Sequence, residues 1–380
     1  MIKFIDLNAQ QLGIREKIEK RIKIILDHGQ YIQGPEIKQL ESKLSHYTNS
    51  KYVLCCSSGT DALLLSLLGL ELKPKEAVLV PSFTFASSAE AISLLGAIPI
   101  FVDVDKRTFN ICPSSIANAL KIAKSLKLQV KGIMTVGLFG QPCDIDLIRE
   151  ISKENKLWIL DDAAQSFGAN YKDRKVGNLA EVTATSFFPS KPLGCYGDGG
   201  ALFTNDSKIY DIAYSSHLHG MGKEKYKYER LGFNGRMDSF QAGVLLEKLK
   251  IFNRELKLRN KIANMYNKIF TKKGTSIILP ELMPDVSSTW AQYTIVLSEK
   301  INREHFQKKL SLRNIPTAIY YPIPLHKQKP YKDYPISSDN LINTETLSQK
   351  VISLPMHPYL SNEDINYICL NVDKTIQELD

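Results

Sequence analysis

The sequence predicts an α/β protein: a doubly wound, mostly parallel sheet followed by a smaller α+β region. Three observations carry this expectation. From residue 52 to about 245, short β-rich apolar runs alternate with helical stretches, as in sheets whose strands are joined by crossover helices. A long helical stretch with little Gly or Pro, "SFQAGVLLEKLKIFNRELKLRNKIANMYNKIF", then ends the alternation. Beyond about residue 275, strand-like runs ("WAQYTIVL", "TAIYYPIPL") mix with short helices. The expected division is a large domain over 1–250, opening with a helical segment, and a small α+β domain over 251–380.

Taken in order, residues 14–48 read as helix, turn, helix, with "IREKIEKRIKIILDHG" showing apolar positions at helical spacing and closed by Gly29. The strand "YVLCC" precedes the helix "TDALLLSLLGL", "EAVLVP" precedes "ASSAEAISLLG", and "IPIFVDVD" follows. Then come "VKGIMTV", the helix "IDLIREISKENK", the strand "LWILDD", and the pair "EVTATSFF" and "GALFTND".

Composition bounds the function. The chain has 380 residues, 43% hydrophobic and 23% charged, in the range of soluble globular proteins. The start, "MIKFIDLNAQQ", is interrupted by polar residues too soon for a secretory signal. No apolar run reaches the 18 or so residues that span a bilayer. Six scattered cysteines without a CxxC pair read as reduced thiols of a bacterial-type cytoplasm. Forty-nine Lys and Arg against 40 Asp and Glu leave a formal charge of +9. The densest basic stretches, "KDRK" at 172–175 and "KEKYKYER" at 223–230, both contain acids, so a solvated surface is expected rather than nucleic-acid binding. His217 and His219 in "HLHG" lack a third ligand at metal-site spacing, and no metal is expected.

Ligands of open α/β sheets bind at the carboxyl ends of strands, which makes the strand ends the candidate site. "SSGTDALLL" puts Ser, Gly and Thr between a strand and a helix. Free N–H groups and the helix dipole there suit a phosphate, although Ser58 or Thr60 would serve equally as a plain helix cap. "LWILDDAAQSFG" ends an apolar strand in two aspartates, either a helix cap or a carboxylate holding a proton on a ring nitrogen, as pyridoxal phosphate requires. In "SFFPSKPLGCYGDGG", Lys191 follows two aromatics and precedes a glycine run that lets the backbone fold tightly. The "TSFF" aromatics are expected to line and desolvate its amine, lowering the pKa as nucleophilic attack on a carbonyl requires.

These motifs, in this order over nearly the whole chain, resemble the DegT–DnrJ–StrS sugar aminotransferases, pyridoxal-phosphate enzymes of fold type I. The match extends through "FIDLNAQQ", "YIQGPEIKQLE", "PSFTFASSAEAI", "GFNGRMDSFQAGVL", "YYPIPLHKQ" and "SLPMHPYL". The resemblance implies that Lys191 bonds the cofactor covalently and shuttles the proton. It implies Asp162 at the pyridine nitrogen, Gln165 near the ring hydroxyl and Phe85 stacked on the ring. Gly59, Thr60 and Ser186 would hold the phosphate, and Asn234 would reach the cofactor of the neighbouring subunit in a homodimer. Gly29, Tyr31, Ser190, Arg236, Tyr320 and Tyr321 match nucleotide-sugar contacts, with the planar fork of Arg236 suited to a uronate carboxylate. Within the family the chain looks most like aminotransferases acting on a UDP-linked 3-oxo N-acetylglucosaminuronate for surface polysaccharide (O-antigen or lipopolysaccharide), with glutamate as donor.

Three departures from the relatives' pattern bear on the sugar rather than the cofactor: Tyr320 in place of a histidine, Gly235 in place of Ser or Tyr, and Gly137 in place of His or Ser. Alternatives are a 4-oxo-sugar (UDP or dTDP) aminotransferase, the family's dehydratase branch, which carries histidine at the Lys191 position, and a non-catalytic regulatory or nucleic-acid-binding protein on the same fold.

Overall fold

The computed structural model describes residues 2–274 and 276–379. Three helices open the chain: α1 (Leu7–Leu12), α2 (Arg15–His28) and α3 (Pro35–Thr48). Gly29 ends α2 in the left-handed conformation at φ 68°, where a Cβ would be strained. The alternating region follows as β1 (Tyr52–Cys56), α4 (Gly59–Gly69), β2 (Ala77–Pro81), α5 (Ala86–Leu94), β3 (Ile98–Val102), α6 (Pro113–Ser125), β4 (Val130–Val136), α7 (Ile145–Asn155) and β5 (Trp158–Asp162). A short hairpin of β6 (Asn170–Tyr171) and β7 (Arg174–Lys175) precedes β8 (Val182–Ser186), β9 (Gly200–Thr204) and α8 (Ser207–Ser216).

Seven strands form one sheet in the order β1-β9-β8-β5-β4-β2-β3. Only β9 runs antiparallel to its neighbours, so the carboxyl ends of the other six share one edge. Side chains alternate between the faces with period two. Leu54, Val80 and Leu160 meet α4, α5 and α8 on one face, while Leu79 and Ile159 meet α6 and α7 on the other. Each such fully buried side chain stabilises by roughly 1.5–3 kcal/mol.

The helix α9 (Ser239–Lys273) runs unbroken for 35 residues, roughly 50 Å at the helical rise. Its first half packs Leu245 and Phe252 against the main sheet's surroundings, its second half Ile262 and Phe270 against the C-terminal core. The division expected between residues 250 and 251 therefore falls inside a continuous helix. The C-terminal core comprises the antiparallel sheet β10-β11-β12 (Ile277–Ile278, Tyr293–Leu297, Val351–Leu354) with α10 (Arg303–Leu312), α11 (Ile342–Lys350) and α12 (Asn362–Gln377).

"TAIYYPIPL" forms no strand, contrary to expectation; one bridge, Ala318 to Ser353, is all the pairing it makes. Pro322 and Pro324 have no N–H to donate to a ladder. The segment instead returns to the large sheet. The Leu325 N–H donates to the Ser82 carbonyl at 3.0 Å, and Tyr331 and Leu341 join the core under α4 and α5. Tyr320 and Tyr321 reach the main sheet's strand ends by this return, although they lie far beyond residue 250.

Candidate active site

The shared edge brings together the ends of β1, β5 and β8 and the starts of α4 and α5. Ser58 caps α4, its hydroxyl accepting from the Asp61 N–H at 3.0 Å, which is the plain-cap role. Thr60 is left to face α5, where its hydroxyl meets that of Ser87 at 2.9 Å. A Cβ on Gly59 would lie 2.6 Å from that of Ser186, and one on Gly200 would collide with the Ser58 carbonyl. Only glycine permits this approach, which gathers the first turn of α4 and the Ser186 hydroxyl into one concavity of N–H and O–H donors. A phosphate fits such a donor set.

Asp162 ends β5, 6% exposed. Its carboxylate accepts from the Ser88 hydroxyl at 2.8 Å and from the Ala164 N–H at 3.1 Å. No helix follows to be capped, so the alternative cap role falls away. Burial pushes its pKa up, opposed by these two hydrogen bonds and by the Lys191 charge. Burial in turn pushes the Lys191 pKa down, opposed by Asp162. A desolvated carboxylate and a desolvated amine thus face one space, one suited to a protonated ring nitrogen and the other to a carbonyl carbon. Asp161, one residue earlier, points to the opposite face and accepts from Thr135 at 2.8 Å.

The surrounding residues shape a flat slot. Gln165 accepts from the Phe139 N–H at 2.7 Å and donates to the Tyr321 hydroxyl at 3.4 Å. Tyr321 lies 6.1 Å from the Phe85 ring and 5.7 Å from that of Tyr320, which in turn neighbours Phe4. Phe85 is 55% exposed, a large apolar ring left open beside the strand ends. The expected aromatic lining of Lys191 divides: Phe187 is fully buried edge-on against Phe167, and Phe188 is exposed. The lysine is positioned instead by a turn, its N–H donating to the Phe188 carbonyl at 2.9 Å. Ser190 and Lys191 line a small pocket with Arg259 and His357.

Arg236 pairs through its backbone with Cys56, and the Ser57 N–H donates to the Gly235 carbonyl at 3.0 Å, which sets this arginine beside the α4 junction. Its Nε is buried and, among the described residues, has no hydrogen-bond partner. A buried guanidinium donor with no acceptor is costly until an anion fills it. Neighbouring His217 has its pKa pushed down to about 4, chiefly by burial and further by Arg236, and its Nδ1 meets the Tyr214 carbonyl.

Two of the three departures have a packing cause. A Cβ at Gly235 would lie 2.9 Å from the Phe233 ring, and one at Gly137 would lie 2.5 Å from Ser166 Cβ. Gly29, Tyr31 and Asn234 stand apart. Tyr31 stacks on Phe240 at 5.6 Å, Asn234 is exposed, and among the described residues no hydrogen bond or ring contact joins them to Lys191 or Asp162.

Sequence reasoning overlooked Ser87 and Ser88, which orient Thr60 and Asp162. Their signal was two hydroxyls in the first turn of a helix that starts at a strand's carboxyl end.

Fold, lysine, buried aspartate and anion cradle define the pyridoxal-phosphate-dependent aminotransferases as the class. The chain belongs to the DegT/DnrJ/EryC1/StrS aminotransferase family, which it matches over residues 13–373. It is 42% identical to the UDP-2-acetamido-2-deoxy-3-oxo-D-glucuronate aminotransferase of Pseudomonas aeruginosa, over 97% of this chain and 99% of that one. Its fold superposes on a DegT/DnrJ/EryC1/StrS aminotransferase from Brucella abortus with a TM-score of 0.95 and 40% identity, covering 99% and 100% of the two chains. NtdA of Bacillus subtilis, solved with bound cofactor PMP, gives 0.86 at 30% identity over 98% of this chain and 83% of that one. The cofactor of this enzyme is pyridoxal 5'-phosphate. Among the described residues, no helix is long and apolar enough to cross a membrane.

Proposed function

We propose that the enzyme aminates C3 of a UDP-linked 2-acetamido-2-deoxy-3-oxo-glucuronate, using glutamate, as a cytoplasmic homodimer serving O-antigen or lipopolysaccharide synthesis. The observation that carries the uronate is the buried, unpartnered Nε of Arg236 beside the α4 junction. A carboxylate on the sugar would supply the missing acceptor. The Pseudomonas aeruginosa relative, whose substrate carries such a group by its name, supports this reading.

When bound, the cofactor supplies an electron sink for the charge left on the donor carbon. In this reading Lys191 would hold the cofactor through Nζ, and that amine, freed when the donor's amine takes its place, would remove the proton from the donor's α-carbon as base and give it back as acid. Asp162 keeps the ring nitrogen protonated, fixed by Ser88. Gln165 hydrogen-bonds near the ring hydroxyl and Phe85 covers the ring face. Gly59, Thr60 and Ser186 hold the phosphate. Gly29, Tyr31, Ser190, Tyr320 and Tyr321 contact the nucleotide sugar with Arg236. Asn234 completes the site of the second subunit. In support, Tyr31, Tyr226, Tyr228 and Leu231 expose large apolar surface, Leu231 at 92%.

The test runs the purified enzyme backwards on a panel of amino-sugar nucleotides with 2-oxoglutarate. Turnover of a UDP 3-amino uronate, and not of 4-amino sugars, is expected; the reverse pattern overturns the assignment in favour of a 4-oxo-sugar enzyme. For the dimer, mixing inactive Lys191→Ala and Asn234→Ala subunits should restore one intact site per heterodimer. No recovery after subunit exchange would place Asn234 in its own subunit's site.

A further inference from the structure

A cleft of about 800 Å³ lies apart from the strand ends, between α9 and the β6–β7 hairpin. Lys257, Lys261 and Lys268 recur along one face of α9, and Lys175 faces them from β7. Among the described residues no carboxylate lines the cleft. Among the described residues none of these four lysines forms a salt bridge, whereas Lys172, Lys250 and Lys273 each hold an acid within 2.7 Å. Lys257, Lys261 and Lys268 are exposed and Lys175 is half-buried, so this concave face gathers positive charge that an incoming anion would meet.

Lys175 shows the same deficit at close range. Its ammonium rests over the Tyr47 ring at 4.9 Å and reaches the Gly168 carbonyl at 3.4 Å. Burial pushes its pKa down with no carboxylate to oppose it. Hydrogen bonds tie the walls to neighbouring elements. Asn260 donates to the Ser288 carbonyl at 3.1 Å and accepts from the Trp290 indole at 3.1 Å. The Ser287 hydroxyl accepts from the Asn170 N–H at 2.7 Å. The side-chain amides of Asn170 and Asn264, both at the cleft, have no protein partner among the described residues. The volume is that of a small-molecule site. Lysine ammoniums bind phosphate as point charges, and free amides suit the hydrogen-bonding edge of a base or sugar.

We propose that this cleft is a second ligand site, separate from the catalytic one, for a phosphate-rich anion of the size of a nucleoside di- or triphosphate. The test is calorimetric titration of ATP, and separately of inorganic tripolyphosphate, into the cofactor-loaded enzyme. Saturable, salt-weakened binding is expected. It should weaken roughly tenfold or more in Lys257→Ala/Lys261→Ala, with the melting temperature and transaminase activity unchanged. Equal binding of both probes would assign recognition to the phosphates, and tighter ATP binding would add the amides. Arg236→Ala separates the sites, because anions held at the catalytic site lose affinity in that variant. Absence of saturable binding overturns the proposal, as does loss in Arg236→Ala but not in the double lysine variant.

Discussion

The two halves of the active site are built differently. The half at the strand ends is closed and satisfied: Asp162, Gln165 and Ser88 are buried, each held by a named donor or acceptor. The half that follows from helix ends and the 217–238 segment is open, with Tyr31 at 45% exposed and Arg236 holding a donor without an acceptor. A sheet edge fixes side chains to within the tolerance of proton transfer, because each strand is tied to its neighbours along its length. A loop fixes them only when a second surface arrives. In the proposed function the first half carries the chemistry and the second the recognition.

That division can be broken by substitutions whose effects fall in a definite order. Lys191→Ala should act most, costing roughly 10²–10⁴-fold in turnover through lost proton transfer alone. The near-visible absorbance of the bound cofactor should disappear with it; undiminished turnover would remove Lys191 from the chemistry. Asp162→Ala comes next, removing one partner of a buried charge pair, worth roughly 2–5 kcal/mol of cofactor affinity. A spectrophotometric titration of the apoenzyme measures it. Arg236→Ala should leave the cofactor spectrum and the glutamate half-reaction intact while weakening sugar binding by roughly 1.5–3 kcal/mol, one charged hydrogen bond. A loss in the glutamate half-reaction would show that the two halves are not separable.

The smallest effect belongs to Asp161, on the other face of β5. Burial pushes its pKa from the ordinary 3.8 up to about 7, and among the described residues its second oxygen has no partner. The folded state therefore keeps a proton that the unfolded state releases, and stability is lost as pH rises from about 3.8 through about 7. Asp161→Asn should show a melting-temperature advantage over the parent that grows across that window and then levels off, with cofactor binding unchanged. Any loss of cofactor would show that the two faces of β5 communicate.

The alternating strands and helices were legible because each is a local pattern: short apolar β-rich runs, Ser58 at a cap, Gly29 where α2 must end. Lys191, Asp162 and Thr60 were legible as strand-end residues because the parallel topology places all such ends on one edge. "TAIYYPIPL" was misread because its β-branched and aromatic residues resemble a strand, while Pro322 and Pro324 deny it a ladder. The expected boundary at 250 lies within α9, because a helix carries no mark of the point where it leaves one core for another. The serines at 87 and 88 were passed over because a hydroxyl's partner lies across space, here Thr60 on α4 and Asp162 on β5, and not along the chain.

By itself, then, the sequence determined the fold class and named the candidate reacting groups, since apolar runs, helical spacing and residue types at strand ends are local features. Tertiary structure alone decided which groups meet. Burial turned Asp162 and Lys191 into a mutually shifted pair, the approach of Gly59 to Ser186 made a cradle, and the return of residues 320–341 set two tyrosines over the slot. Those outcomes depend on desolvation and on contacts between segments far apart in the chain, and neither is a property of any stretch read alone.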